Sequence, residues 1–452
     1  MSFTTDGSRW SDVWLAATAR GTSMCGDFLA ATALALALQS AGASGLAVSG
    51  LLLAATLPLV VLAPLTGRLA DRVDSRTLLV TAGLGQAAVC ALLAFADHPT
   101  LIIGLVALLA CGLAVTQPCL AALLPAMVRP GDLPRASAIS QTASSLGALG
   151  GPVLAGLLVG QFGARVPLLI DAVSYLALVA AGLLLRTRRG GRRVTAAPAS
   201  GTERAPAWRL RSDPLLLAVV LSTAAVITAV GGINVVEVFF IRETLDGSPT
   251  VYGLVGAAWM AGMLPGSWLC ARLAHRLTDD GALVYGVLVT LGGICLTVVV
   301  AAAVPTAALL VPLWLVAGAA NGGENVFANL LTARRVPEAS RGRAYALYGA
   351  AVQGGSMGGY LIGGALLALL APRPLIAGAG AVGLLVVVAF VPAVARSVRR
   401  VRAAGAPGAA AEPPGQAERQ GAVGPAGPPD PPVVSDAIRR HADNTIGSFD
   451  AH

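Results

Sequence analysis

Twelve apolar runs, each long enough to cross a bilayer as a helix, limit what this chain of 452 residues can fold into. They lie at about 13–38, 46–66, 77–96, 101–124, 136–160, 167–185, 214–241, 251–271, 282–304, 307–331, 343–371 and 375–395. A helix rises ~1.5 Å per residue, so about 20 residues cover a hydrocarbon core of ~30 Å. The expected fold is all-α and membrane-embedded, with twelve transmembrane helices. Composition agrees: 56% of residues are hydrophobic and 12% charged, more apolar surface than a water-soluble domain can bury.

Charge sets the expected orientation. The net charge is +8 and every basic residue is Arg. Loops on the side of the amino terminus hold Arg68, Arg72, Arg76, Arg129, Arg135, a cluster from Arg186 to Arg211, Arg272, Arg276, Arg334, Arg335, Arg341, Arg343 and a cluster from Arg396 to Arg402. The opposite loops hold Arg165, Arg242 and Arg373. Cationic residues concentrate in cytoplasmic loops, so both termini are expected inside the cell, in the plasma membrane. The positive charge therefore reads as topology, with no nucleic-acid partner. The first run is too long for a signal-peptide core and reads as an uncleaved helix.

The runs divide into two sets of six. Residues 1–185 form the expected first bundle, 186–213 an Arg-rich cytoplasmic linker, 214–402 the second bundle, and 403–452 a Pro-, Gly- and Ala-rich disordered tail. The halves repeat. Arg68-Leu69-Ala70-x-Arg72 returns as Arg272-Leu273-Ala274-x-Arg276, an offset of 204. At an offset of 208, Arg135-Ala136-Ser137-Ala138 matches Arg343-Ala344-Tyr345-Ala346, and Gly151 and Gly156 match Gly359 and Gly364. A parallel repeat of six helices predicts two pseudo-symmetric bundles that rock about a site near the bilayer midplane.

Polar residues inside the spans mark that site, because a carboxylate at the bilayer centre costs at least ~2.5 kcal/mol. Asp27 lies in the first run, Gln117 in the fourth, Asp171 in the sixth, Asn234 and Glu237 in the seventh, and Asn321, Glu324, Asn325 and Asn329 in the tenth. Asn321, Asn325 and Asn329 share a spacing of four, so with Glu324 they are expected to line the cavity from one helix face. Thr116 and Gln117 stand at the repeat positions of Glu324 and Asn325, which predicts polar groups at one depth in both halves. Hydrogen-bonded glue between helices is the alternative for each of these residues. An apolar cavity disfavours the charged carboxylate, which suits such a group to loading and releasing protons. Arg20, low in the first run, is read as snorkelling to the cytoplasmic face. An acidic cavity favours cationic or neutral amphiphiles over multiply charged anions. Trp259, Met260 and Met263 read as core packing, or else as an adaptable apolar wall.

Other chemistries fit poorly. The six cysteines all fall inside apolar runs without a CxxC pair, as small buried hydrophobes. No metal site, cofactor or catalytic residue is expected. Gly354-Gly355-Ser356-Met357-Gly358 fits a hydrolase pattern but lacks its strand-turn-helix context. A phosphate-binding GxxxxGK[ST] cannot occur in a chain without Lys.

The loop Gly67-Arg68-Leu69-Ala70-Asp71-Arg72-Val73-Asp74-Ser75-Arg76 resembles the signature between helices two and three of the major facilitator superfamily, with Asp74 and Ser75 departing from its pattern. The resemblance spans residues 10 to 400. The stretch from Leu123 to Pro130, Arg135-Ala136, Gly26-Asp27, Phe162 to Tyr175 and Arg341-Gly342-Arg343 are similar to the exporter branch of enterobactin and macrolide efflux proteins. This implies a secondary transporter, working as a monomer, that moves a small amphipathic molecule outward by proton antiport; the alternatives are an importer or uniporter of the same fold, or a membrane receptor or scaffold that does not transport. Gly67, Asp71, Arg72 and Arg76 would be its gating loop. Asp71 would accept hydrogen bonds from helix-start amides near Arg341 to Tyr345. Gly147, Gly151, Pro152 and Gly156 resemble the family's antiporter signature, with Ala155 where a second Gly is usual. The fourth run has no Arg, so the relay that many family antiporters place there is absent, and coupling would fall to Asp27 or Glu324.

Overall fold

The computed structural model describes residues 8–187, 208–277 and 279–404, and every regular element among them is a helix. The expected linker core, 188–207, and the expected tail from 405 lie outside the described residues, as do the side chains of Gly67, Arg68, Ala70 and Asp71. In chain order the helices are α1 (Trp10–Ser40), α2 (Gly45–Val61), α3 (Ala63–Arg72), α4 (Ser75–Leu93), α5 (Pro99–Met127), α6 (Leu133–Phe162), α7 (Arg165–Leu184), α8 (Pro214–Gly231), α9 (Ile233–Phe239), α10 (Pro249–Ala274), α11 (Asp280–Ala302), α12 (Leu310–Arg335), α13 (Glu338–Leu366) and α14 (Pro372–Ala404).

Two expected helices are interrupted. The second run breaks at Leu62 because Pro58 supplies no amide hydrogen and Pro64 restarts the chain as α3. The seventh runs from Pro214 to Thr244 as α8, α9 and a π-turn at Phe240–Thr244, interrupted at Gly231 and Gly232. Ten helical segments among the described residues are long and apolar enough to cross a membrane, and Gly45–Val61 is a shorter apolar one. The eleventh expected span, α13, is 29 residues long but diluted by glycine, with Glu338, Arg341 and Arg343 at its start.

Successive helices run up and down. At the end that carries Trp10, the Arg9 amide donates to the Met127 carbonyl (2.9 Å), and the Thr187 hydroxyl (2.7 Å) and amide (2.9 Å) donate to Asp12. At the same end Arg335 joins Asp213 (2.6 Å) to Asp280 (3.1 Å), while Asp213 caps α8 through the Leu215 and Leu216 amides. This is the terminal end; the other is the far end. The first six spans enclose a core that includes Tyr175, Leu79 and Leu123. The last six enclose two, one including Leu283 and Leu331, the other Phe240, Ile241 and Trp314.

The halves meet chiefly through α6 against α10 and α2 against α13. Both crossings lie toward the far end, and both use glycine. A Cβ on Gly253 would stand 2.1 Å from the Pro152 carbonyl, and one on Gly156 would stand 2.7 Å from the Pro249 carbonyl. A Cβ on Gly364 would lie 2.7 Å from the Gly45 carbonyl, and the Ser49 hydroxyl donates across this crossing to the Tyr360 carbonyl (2.6 Å). Gly45 precedes Gly253 by 208 residues, as Gly156 precedes Gly364. The repeat thus places one backbone-on-backbone contact twice. Without a hydrophobic driving force in lipid, such close packing is what joins helices.

Candidate functional site

A cavity of about 360 Å³ lies between the halves. That is the size of a pocket for a small organic molecule. The first half contributes an almost wholly apolar wall, with Phe28, Ala31, Thr32 and Ala35 of α1, Val48 and Leu52 of α2, and Pro152 of α6. The second half contributes most of the polar and aromatic groups: Asn234 and Glu237 of α9, Tyr252, Trp259 and Met260 of α10, and Trp314, Asn321 and Glu324 of α12. No basic residue is among the lining residues described.

Each polar group has a local reason for its position. The break after α8 leaves a carbonyl without its helical partner, and the Asn234 amide donates to that of Gly231 (3.1 Å). This holds α9 in register, and Glu237 follows three residues on, beside Trp314 and Tyr252. Glu324, 3% exposed, accepts hydrogen bonds from the Tyr348 hydroxyl of α13 and from the Thr223 hydroxyl of α8 (3.3 Å). Buried tyrosine hydroxyls need such partners, and here one fixes the carboxylate at the cavity edge.

The tenth-span stripe divides. Asn321 and Glu324 line the cavity, whereas the Asn325 amide turns back to the Asn321 carbonyl (2.9 Å) and Asn329 is exposed, its carbonyl accepting from Tyr345 (3.4 Å). A spacing of four drifts by about 40° per step on a helix, enough to carry the later residues off the cavity. Gln117 is half-buried and outside the lining, and the Thr116 hydroxyl donates to the Leu113 carbonyl (3.5 Å). The expected matching polar layer in the first half is therefore absent from the cavity. Trp259 and Met260 line it, as the apolar-wall reading expected, while Met263 lies behind, its carbonyl against Gly322.

The acids of the first half form a separate cluster among α1, α4 and α7. The Tyr175 hydroxyl donates to Asp27 (2.5 Å). One turn earlier, Asp171, fully buried, accepts from the Ser174 hydroxyl (2.9 Å) and the Cys90 thiol (3.2 Å). Asp27 neighbours Phe28, which lines the cavity, but neither acid does so itself. Arg20, two turns from Asp27 toward the terminal end, acts on it electrostatically.

Of the glycine-rich positions on α6, Gly147 and Gly151 lie against the α1 backbone, at Gly21 and Cys25, whereas Pro152 and Gly156 touch α10 of the other half. One helix thus serves both its own bundle and the crossing between halves. The expected gating loop is mostly helical: Gly67 to Arg72 form the second half of α3, which packs chiefly on α5, and Arg76 lies at the start of α4, leaving only Val73 and Asp74 between them. Arg72 is exposed and Arg76 half-buried, while the side chains of Gly67 and Asp71 lie outside the description. Arg341 donates to the Ala333 (3.0 Å) and Val336 (3.3 Å) carbonyls and so caps the end of α12.

Two six-helix bundles around a shared cavity are the architecture of a major facilitator transporter. Solved structures share it. The nucleoside transporter NupG superposes with a TM-score of 0.70 at 12% identity, over 84% of this chain and 99% of that one. A bacterial homologue of the human lysosomal transporter Spinster, inward-facing and unoccupied, does so at 0.65 and 16%, over 87% and 97%. A bacterial homologue of the iron transporter ferroportin, also inward-facing, gives 0.64 and 17%, over 86% and 99%. No curated protein sequence matches the chain. Residues 8–416 match the MFS_3 model, and the chain belongs to that family of transmembrane secretion effectors, within the major facilitator superfamily. It is a multi-pass membrane transporter.

Proposed function

We propose that this transporter exports a small amphipathic molecule, cationic or neutral, across the plasma membrane in exchange for protons. The observation that carries the reading is the cavity itself, which offers Glu237 and Glu324, two amides and several aromatic rings but no basic group. Carboxylates beside indole rings suit an organic cation with an apolar body. A drug, natural product or siderophore-like compound has that character, in keeping with the resemblance to enterobactin and macrolide exporters.

The Arg-rich terminal end supports an orientation with both termini in the cytoplasm. The far-end crossings then close the outer face, and the arrangement is an inward-facing one. Transport follows when the halves, residues 1–185 and 214–402, rock to break these crossings and close the inner face, with the Gly67, Asp71, Arg72 and Arg76 loop latching near the start of α13. Coupling falls to Asp27 or Glu324: Asp27 lies off the cavity beside Asp171, bonded to α7, and Glu324 lines the cavity, while Gln117, Asn325 and Asn329 are polar residues along the path.

Inverted membrane vesicles test the reading with a fluorescent organic cation. An inside-acid pH gradient should drive dye uptake, since protons leave as dye enters, and a protonophore should abolish it. Uptake unaffected by the gradient, or driven only by an inside-alkaline one, would overturn proton-coupled export.

A further inference from the structure

A second cavity of about 420 Å³ lies on the outer flank of the second half, between α8, α9, α13 and α14. Its walls include Val236, Ile362, Leu366, Leu370, Leu375 and Val382. Ile362, Leu370 and Val382 are about half exposed, so the groove opens sideways from the membrane-spanning surface. Thr228 is the one polar side chain in its described lining, and its hydroxyl is occupied by the Ala224 carbonyl (2.8 Å). Such a groove offers a ligand nothing but hydrocarbon contact.

A charge lies next to its far end. Pro374 and Leu375 line the groove, and Arg373 precedes them at the start of α14. The Arg373 guanidinium lies over the buried Phe240 ring, 5.8 Å from its centre, and Phe240 follows the lining residue Val236 by one turn, so the guanidinium sits beside the lining rather than in it. Of the three far-end arginines, Arg165 approaches Asp97 (3.9 Å) and Arg242 donates to the Gly247 carbonyl (2.6 Å). Arg373 has no carboxylate partner among the described residues. A guanidinium above an apolar slot open to the bilayer matches a phosphate joined to an acyl chain.

We propose that the groove holds one bilayer phospholipid, an acyl chain between α9, α13 and α14 and the phosphate on Arg373. The chain then lies against Gly232, Gly359 and Gly363, at the interruption that positions Asn234 and Glu237. Ile233 is shared by the groove and the central cavity, so the lipid contacts the wall of the transport site.

Native mass spectrometry of the full chain, purified in mild detergent with dioleoylphosphatidylglycerol, tests this. One lipid per chain should be retained, and Arg373→Gln should weaken retention about tenfold through loss of a charge-assisted contact. Gly378 lines the groove, and a Cβ there meets nothing within 4 Å, so Gly378→Leu fills the slot without touching the backbone. It should weaken retention similarly, while Gly378→Ala should not. Dioleoylglycerol, which lacks the phosphate, should be held about as poorly as the Arg373→Gln protein holds phosphatidylglycerol. Wild-type retention in either Arg373→Gln or Gly378→Leu, or equal retention of dioleoylglycerol, would overturn the assignment.

Discussion

The two halves share a helix order and a pair of glycine crossings, yet they place their acids differently. In the first half Asp27 and Asp171 turn inward: Asp27 to Tyr175 on α7, and Asp171 to Cys90 on α4 and to Ser174 on its own helix. In the second half Glu237 and Glu324 line the cavity between the bundles. Main-chain packing has kept the symmetry of the repeat, because a glycine crossing tolerates no side chain. The cavity surface is free to diverge, because its side chains meet space. One bundle thereby supplies an apolar wall and a sequestered acidic cluster, and the other the groups that a molecule in the cavity would touch.

The largest effect should come from the shared feature. At Gly253 even a Cβ would collide with the Pro152 carbonyl, so Gly253→Leu should cut transport ~100-fold, an overpacking penalty of about 3 kcal/mol. Gly45→Leu should do the same at the symmetric crossing. A marked difference between the two in a vesicle transport assay would show that the crossings are unequal. Next comes a point where the halves differ in sequence: Asp71 has His275 at the offset of 204. Asp71→Asn should lower transport about tenfold, roughly the worth of one charged hydrogen bond, with membrane insertion intact. Unchanged transport would remove the proposed latch.

A smaller effect separates the two tyrosines. Tyr348→Phe takes one hydrogen bond from Glu324 and should raise the half-saturating concentration of a cationic dye about fivefold, or ~1 kcal/mol. Tyr175→Phe acts on Asp27, away from the cavity, and should leave that concentration unchanged while altering the dependence on the pH gradient. Smallest of all is Arg165→Gln. Its contact with Asp97 is 3.9 Å long and largely exposed, so thermal stability should shift by less than about 1 kcal/mol.

Much of the backbone could be read directly from the sequence. Span length and hydropathy located most of the helices, and the offset of 208 showed that the halves repeat, whereas the crossings at Gly253 and Gly45 emerge only from the fold. Side-chain destinations were less legible, because they depend on how each helix is rotated against its neighbours. Asn321 and Asn325 are spaced alike in any helical reading, and only the fold shows that the second amide is used on the first one's carbonyl. Tyr348 lies 24 residues from Glu324 on the next helix, with no local pattern to join them. Tyr175 was nearer to hand, one turn from Asp171, but its bond goes to α1. The break falls at the pair Gly231 and Gly232, inside a run read as one unbroken span, and neither the break nor its consequence for Asn234 was legible there.

The division between the halves is tested most directly by equilibrium binding of a fluorescent organic cation to purified protein in which the acids are neutralised one at a time. Glu237→Gln and Glu324→Gln should each weaken binding about thirtyfold, or ~2 kcal/mol, while Asp27→Asn and Asp171→Asn stay within about twofold of wild type. Equal losses in all four variants, or losses confined to Asp27 and Asp171, would contradict the account.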